Sequence, residues 1–233
     1  MKTLLLLSLL TSLTAHAYDL NNRVQGLTIP NSHVVTYSDS QQVLRGRTPT
    51  EDQMQELIDI GVRKFLIFKN DVKGEVSKEV SSLKKLGVRN EDITHVPFPW
   101  KDITDFRSAC EMTIAALQTI ESAHRQGESI YFHCTAGEDR TGYLASLWSL
   151  WSGARTSAQE SFQEDMCNNG YEAGNPNKPY KTVVVKIRET LTPTYIRMLI
   201  ILANAKKAGL PLRTSLCDSN PNFKSLQSKF VCQ

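Results

Sequence analysis

The chain has 233 residues, 40% of them hydrophobic and 22% charged, with a formal net charge of +3. So small a charge, with no basic stripe, excludes nucleic-acid binding through a charged face, and the composition is that of a globular protein without repeats or low-complexity segments. The length suits one α/β domain with a small extension.

In chain order, the first element reads as an export signal. Lys2 supplies a charged start, Leu4 to Leu13 is apolar apart from Ser8, Thr11 and Ser12, and Ala15-His16-Ala17 is a small-x-small cleavage site. Residues 1–17 are therefore expected to be a signal peptide, and the mature protein to be exported, periplasmic or secreted. This apolar run is too short to span a bilayer, and the later run from Tyr195 to Ala205 is interrupted by Arg197 and Asn204.

Thr48-Pro49-Thr50-Glu51 reads as a helix start, with Thr48 as cap, Pro49 in the first helical position and Glu51 closing a capping box. That helix ends at Gly61, and Val62 to Phe68 reads as a strand. Glu75 to Leu86 reads as a second helix stopped by Gly87, followed by a strand from Ile93 to Phe98. Phe106, Cys110, Thr113, Ile114, Leu117 and Ile120 then recur at helical spacing along one long amphipathic helix. Gly127 turns the chain into a short apolar strand that reaches His133. From about Arg140 to Leu150 nearly every position is apolar, which places that helix at the centre. Ser157 to Asn168 reads as a further helix, Gly174 to Pro179 as a loop, and Thr192 to Gly209 as the last helix. The alternation predicts an α/β fold: a central, mostly parallel sheet flanked by helices over residues 18–209, with an irregular tail over 210–233.

Five cysteines in an exported chain leave at least one thiol outside any intrachain disulfide. The economical expectation keeps Cys134 free and bridges Cys217 to Cys232 within the tail. Cys110 and Cys167 either pair or stay separately buried; if Cys134 is oxidised, one of them is a candidate resolving thiol. No Cys/His cluster has metal-ligand spacing, so no zinc site is expected.

The chemistry concentrates between Ile130 and Gly142. A strand delivers His133 and Cys134 into the loop Thr135-Ala136-Gly137-Glu138-Asp139, which leads to Arg140, Thr141 and an apolar helix. That layout puts a thiol at the bottom of a ring of backbone N–H groups, closed by an arginine and aimed at by a helix N-terminus. Such a cup binds a phosphate dianion and favours the thiolate. In it Cys134 is the candidate nucleophile, Arg140 the planar fork for two phosphate oxygens, and Thr141 a hydroxyl donor to the departing sulfur. His133 orients the loop through backbone hydrogen bonds, and Gly137 and Gly142 admit backbone where a side chain would crowd. Transfer to or from the thiol needs a protonated acid over the cup. Asp102, in Phe98-Pro99-Trp100-Lys101-Asp102 after a strand, is the first choice. Asp105 is the runner-up, although capping the helix at Phe106 suits it better. Asp139 is expected to accept loop amides or to favour the helix N-terminus.

The spacing His-Cys-x5-Arg-Thr-Gly resembles the signature of the cysteine-dependent protein tyrosine and dual-specificity phosphatases. Phe98-Pro99-Trp100-Lys101-Asp102 resembles their mobile acid loop, most of all in the lipid-phosphatase branch. Ala136-Gly137-x-Asp139-Arg140-Thr141-Gly142 looks like the loop of secreted bacterial tyrosine phosphatases, some of which also act on phosphoinositides. The resemblance implies a dual-specificity-like fold, a cysteinyl-phosphate intermediate, no metal or other cofactor, and substrate binding by His133, Thr135, Ala136, Gly137, Glu138, Asp139 and Lys101. It implies a phosphorylated protein as substrate, with phosphotyrosine first and inositol phosphates or phosphoinositides second. A cup that binds phosphate without turnover is a further alternative. Glu138 stands where lysine is common in that branch. A carboxylate there repels a substrate bearing several phosphates, unless it pairs with a lysine such as Lys101.

Overall fold

The computed structural model describes residues 24, 26–38, 41–174 and 180–232. The expected signal peptide and most of the loop before Tyr180, Lys178 included, lie outside the described residues.

Five strands form one sheet: β1 (His33–Ser38), β2 (Gln41–Arg47), β3 (Val62–Ile67), β4 (Ile93–His95) and β5 (Ser129–Cys134), in the order β1-β2-β5-β3-β4. β1 runs antiparallel to β2, and every other pairing is parallel. The fourth strand is shorter than its apolar run because Pro97 and Pro99 cannot donate to a ladder, although the chain continues beside β3 as far as Val96, whose N–H donates to Ile67.

Strand alternation sorts the core into two layers. Val43 of β2, Leu66 of β3 and Ile130 and Phe132 of β5 face α3 (Phe106–Gln126), α4 (Asp139–Ser152) and α7 (Leu191–Lys207). Leu44, Phe65 and Tyr131 face the other way, against α1 (Glu51–Asp59) and α2 (Glu75–Lys85). β5 is buried along its whole length, and α4 is buried at nine consecutive positions from Thr141 to Ser149, as its near-uniform apolarity requires.

Several local expectations shift. Thr50, not Thr48, caps α1, and the capping box closes with Gln53 rather than Glu51. Thr48 is engaged elsewhere, its hydroxyl donating to the Cys134 carbonyl at 3.0 Å. The helix expected over Ser157–Asn168 breaks into α5 (Ala158–Ser161), a π turn (Phe162–Met166) and a 3-10 turn (Cys167–Asn169). One further helix, α6 (Tyr180–Glu189), precedes α7.

The cysteines pair otherwise than expected. Cys110 of α3 bonds Cys217, Cys167 bonds Cys232, and Cys134 is free. The tail does not close on itself because Leu212, Cys217 and Phe230 join the main core, drawing the chain back over the α3/α4/α7 layer. Both candidate resolving thiols are thereby consumed. Among the described residues no helix is long and apolar enough to cross a membrane.

Candidate active site

The parallel strands deliver their carboxyl ends to one edge of the sheet, where ligands of open α/β sheets bind. The register sets Arg47 at the end of β2 beside Cys134 at the end of β5, and Ile67 of β3 beside His133. A cavity of about 570 Å³ opens there, lined by Cys134, Thr135, Ala136, Glu138, Asp139 and Arg140 on the loop side. Pro30, Asn31, Arg47, Trp100, Lys101, Gly174 and Val183 complete its walls.

Cys134 is almost fully buried on the cavity floor. Its backbone N–H donates to Oγ1 of Thr141 at 2.8 Å, tying the end of β5 to the first turn of α4. Arg140 reaches across the loop, donating from its guanidinium to Oγ1 of Thr135 at 3.2 Å. Gly137 turns with φ +76, and a Cβ there would meet the Gly46 carbonyl carbon and the Arg47 nitrogen at 2.6 Å, so only glycine fits. The Gly137 carbonyl points away from the cavity and accepts from Asn31 at 2.8 Å and from Arg45 at 2.6 Å.

Arg45 lies beneath the loop, not at its mouth. It is buried, and its second nitrogen donates to the Asp165 carbonyl in the π turn. Burial pulls its pKa down to about 10, against the carboxylate of Asp165, the thiol of Cys134 and further groups that raise it. The guanidinium remains charged and braces the loop against the π turn. Nothing in the run Leu44-Arg45-Gly46-Arg47 announces that Arg45 turns inward beneath the loop rather than toward its mouth.

Asp102 closes a 3-10 turn, Trp100–Asp102, whose first two residues form part of the cavity wall. Its own carboxyl is exposed and does not line the cavity. Asp105 caps α3, its carboxylate accepting from the N–H groups of Arg107 and Ser108 and from the Ser108 hydroxyl. Those hydrogen bonds, the Ser108 hydroxyl first, hold its pKa below the ordinary value, so it stays anionic. Asp139 lines the cavity, partly buried, and accepts from the Glu172 N–H at 3.2 Å. Burial pushes its pKa up to about 7 despite that hydrogen bond, with Glu138 adding to the rise.

Glu138 is half-buried at the rim, its side chain against Gly170, where a Cβ would lie 2.8 Å from its Cγ. Burial raises its pKa, while Arg47 and Arg45 oppose the rise. The cations that act on it are those of β2; Lys101 lies over the Trp100 ring, 5.2 Å from its centroid. Asn31 and Val183 are site residues that the sequence reading did not single out; of the run Arg45-Gly46-Arg47, it is Arg47 that reaches the cavity. The alternation of β2 toward the sheet edge is the one signal that points to Arg47.

Nδ1 of His133 lies 3.1 Å from the Cys134 carbonyl oxygen, a contact of the kind the loop-orienting expectation requires. Its other nitrogen meets Glu79 of α2, a residue with no sequence signal at all.

No curated protein matches the chain. Among solved structures, Tk-PTP in its active form is similar at 22% identity, covering 67% of this chain and 95% of that one with a TM-score of 0.47. PTPMT1 is similar at 18% identity, covering 76% and 99% with a TM-score of 0.44. P. aeruginosa TpbA, in a cysteine-to-serine form in complex with phosphotyrosine, is similar at 17% identity, covering 63% and 85% with a TM-score of 0.40. Residues 47–159, from the last residue of β2 through the cup and α4 into α5, match the model of the tyrosine phosphatase family.

Proposed function

We propose that this protein is an exported cysteine-dependent phosphatase that hydrolyses phosphomonoesters, phosphotyrosine in proteins first among them. The observation that carries the reading is the placement of the one free thiol, Cys134, on the floor of a cavity at the carboxyl edge of the sheet, with Arg140, Thr141 and the α4 N-terminus around it. The two disulfides fit an oxidising compartment.

The Cys134 thiolate attacks phosphorus while Arg140 and the loop N–H groups hold the three equatorial oxygens. The ester oxygen departs opposite the sulfur, toward the mouth, and takes a proton from Asp102. The thiophosphate is then attacked by water, which returns its proton to Asp102; phosphate leaves and the thiolate is restored, with Thr141 donating to the sulfur. Asp102 is assigned as donor because its turn forms the cavity wall through Trp100 and Lys101, on the side where the leaving group exits; the assignment requires that turn to bring the exposed carboxyl over the cup. Asp139 is the second reading for the donor, favoured by a carboxyl that keeps its proton to about pH 7 inside the cavity. It belongs, however, to the loop that surrounds the thiol.

A monoester dianion suits the charge balance of the walls, where Arg47, Lys101 and Arg140 face Glu138 and Asp139. Trp100, Pro30 and Val183 supply apolar surface for an aryl ring. A panel of phosphotyrosine, phosphoserine and phosphothreonine peptides against inositol phosphates and phosphoinositides, at equal concentration, tests the assignment. Phosphotyrosine peptides should give the highest kcat/KM, and a preference for inositol substrates would replace it.

A further inference from the structure

Asn31 reaches the cavity from the segment that precedes β1. Its backbone is anchored on both sides: the Arg47 N–H donates to the Pro30 carbonyl at 3.3 Å, and His33 opens β1, where it pairs with Arg45 of β2. Asn31 itself has φ +55, a left-handed conformation that asparagine tolerates better than most side chains.

The side-chain amide makes three contacts, and their chemistry leaves it one orientation. Nδ2 donates to the Gly137 carbonyl at 2.8 Å and to the Asn169 carbonyl at 3.0 Å. A carbonyl only accepts, so the nitrogen faces this pair, and Oδ1 is left to accept from Nε2 of His33 at 2.8 Å. One amide thus joins the cup to the 3-10 turn Cys167–Asn169, and a histidine of β1 fixes the amide.

The Gly137 carbonyl matters to the cup through the N–H at the other end of its peptide. In a planar trans peptide the C=O and the N–H point in opposite directions. Asn31 and, at 2.6 Å, Arg45 hold the Gly137 oxygen away from the cavity, which turns the Glu138 N–H toward it. That N–H has no acceptor among the described residues, and Glu138 lines the cavity. Gly137 has no side chain to oppose rotation of this peptide, so its orientation is set by the hydrogen bonds on its carbonyl.

We propose that Asn31 is a positioning residue: it fixes the Gly137–Glu138 peptide so that the Glu138 N–H faces an oxygen of the bound phosphate. Arg45 shares the same carbonyl from beneath, tied to the π turn, and Asn31 adds the grip that runs to the Asn169 turn. The inference rests on the cup being the phosphate site of the phosphatase reading.

Asn31→Gly tests it, because glycine keeps the left-handed backbone and removes only the amide. In a crystal structure of the full-length variant, the Gly137–Glu138 peptide should be flipped or split between two orientations; the single wild-type orientation overturns the proposal. Inorganic phosphate, titrated calorimetrically, should bind the folded variant about tenfold more weakly than wild type. A merely structural role would lower the melting temperature and leave the phosphate Kd in place, so an unchanged Kd also overturns it. In the wild type, whether or not the variant folds, NMR hydrogen exchange of the Asn31 side-chain amide should be about tenfold or more slower than that of a solvated asparagine. Exchange at the solvated rate overturns the proposal. A wild type that binds no phosphate defeats the phosphatase reading, whereas the peptide orientation and the amide exchange decide this one.

Discussion

The backbone N–H of Cys134 donates to the Thr141 hydroxyl oxygen across 2.8 Å, so one side chain of α4 anchors the last residue of β5. Removing the hydroxyl leaves a buried N–H unpaired and, in the proposed mechanism, withdraws the proton donated to the departing thiolate. Thr141→Val should cost about 1–3 kcal/mol of stability. It should lower kcat by about tenfold or more, with a pre-steady-state burst because the second step slows. Thr141→Ser should remain close to wild type. Stopped-flow hydrolysis of an aryl phosphate checks this, and a Thr141→Val enzyme with no burst and unchanged kcat contradicts the role.

Arg45 holds two carbonyls, of Gly137 in the cup and Asp165 in the π turn. Arg45→Met fills the space but leaves both acceptors unpaired, for a loss of about 2–4 kcal/mol by chemical denaturation. Because the guanidinium does not line the cavity, phosphate affinity in the folded variant should fall less than in Arg140→Met. Equal losses would place Arg45 in the binding set.

Asp139 gives the site a pH signature. Its carboxyl, raised by burial to about 7, binds a proton in the folded state that an unfolded carboxyl with a value near 3.9 has released. The stability it contributes is fully present below the unfolded value and is lost as pH rises through about 7. Asp139→Asn should remove that part of the fall in stability between about pH 4 and about pH 7, read from denaturation midpoints across the range. The same variant separates the two acid assignments. Asp102→Asn should slow an alkyl phosphate by about a hundredfold or more, in the range for general-acid loss, and should slow an activated aryl phosphate much less. Asp139→Asn should show no such leaving-group dependence.

The two disulfides close loops of 107 and 65 residues in sequence separation. By loop-closure entropy each contributes about 4 kcal/mol. A reductant such as dithiothreitol should therefore lower the melting temperature. Cys110→Ala/Cys217→Ala and Cys167→Ala/Cys232→Ala should each reproduce part of that loss. Intact-mass measurement with and without reduction checks the pairing, and a Cys217–Cys232 peptide would contradict it.

The strand, cup and helix from Ser129 to Ser152 were legible because their signals are local: an apolar run, a glycine that must turn, an arginine at fixed spacing, and a helix apolar all round. What escaped the sequence depends on distant partners. Glu79 sits among Ser, Lys and Glu in α2 and reads as a solvated charge; only strand parity, which sends His133 to that face, gives it a partner. Arg45 and Gly46 interrupt the apolar pattern of β2 for reasons that lie in the cup and in the Tyr131 ring, whose hydroxyl would lie 2.4 Å from a Cβ on Gly46. The disulfide partners followed from the tail packing into the core, which spacing does not encode. The substrate depends on walls drawn from six segments; the loop, the Trp100 turn, the Arg45-Gly46-Arg47 run and the Gly174 loop are marked in the sequence, while Pro30-Asn31 and Val183 are not.

The central claim is that the Cys134 sulfur is the group that attacks phosphorus. Cys134→Ser, compared with wild type on an aryl phosphate under single-turnover and steady-state conditions, tests it most directly. Loss of turnover on the order of a thousandfold or more is predicted, with phosphate still protecting the cavity. Trapping of a phosphate on the Cys134 peptide should succeed in the acid-quenched wild type alone. Turnover of Cys134→Ser at the wild-type rate, in a protein with the wild-type melting temperature, would contradict the account.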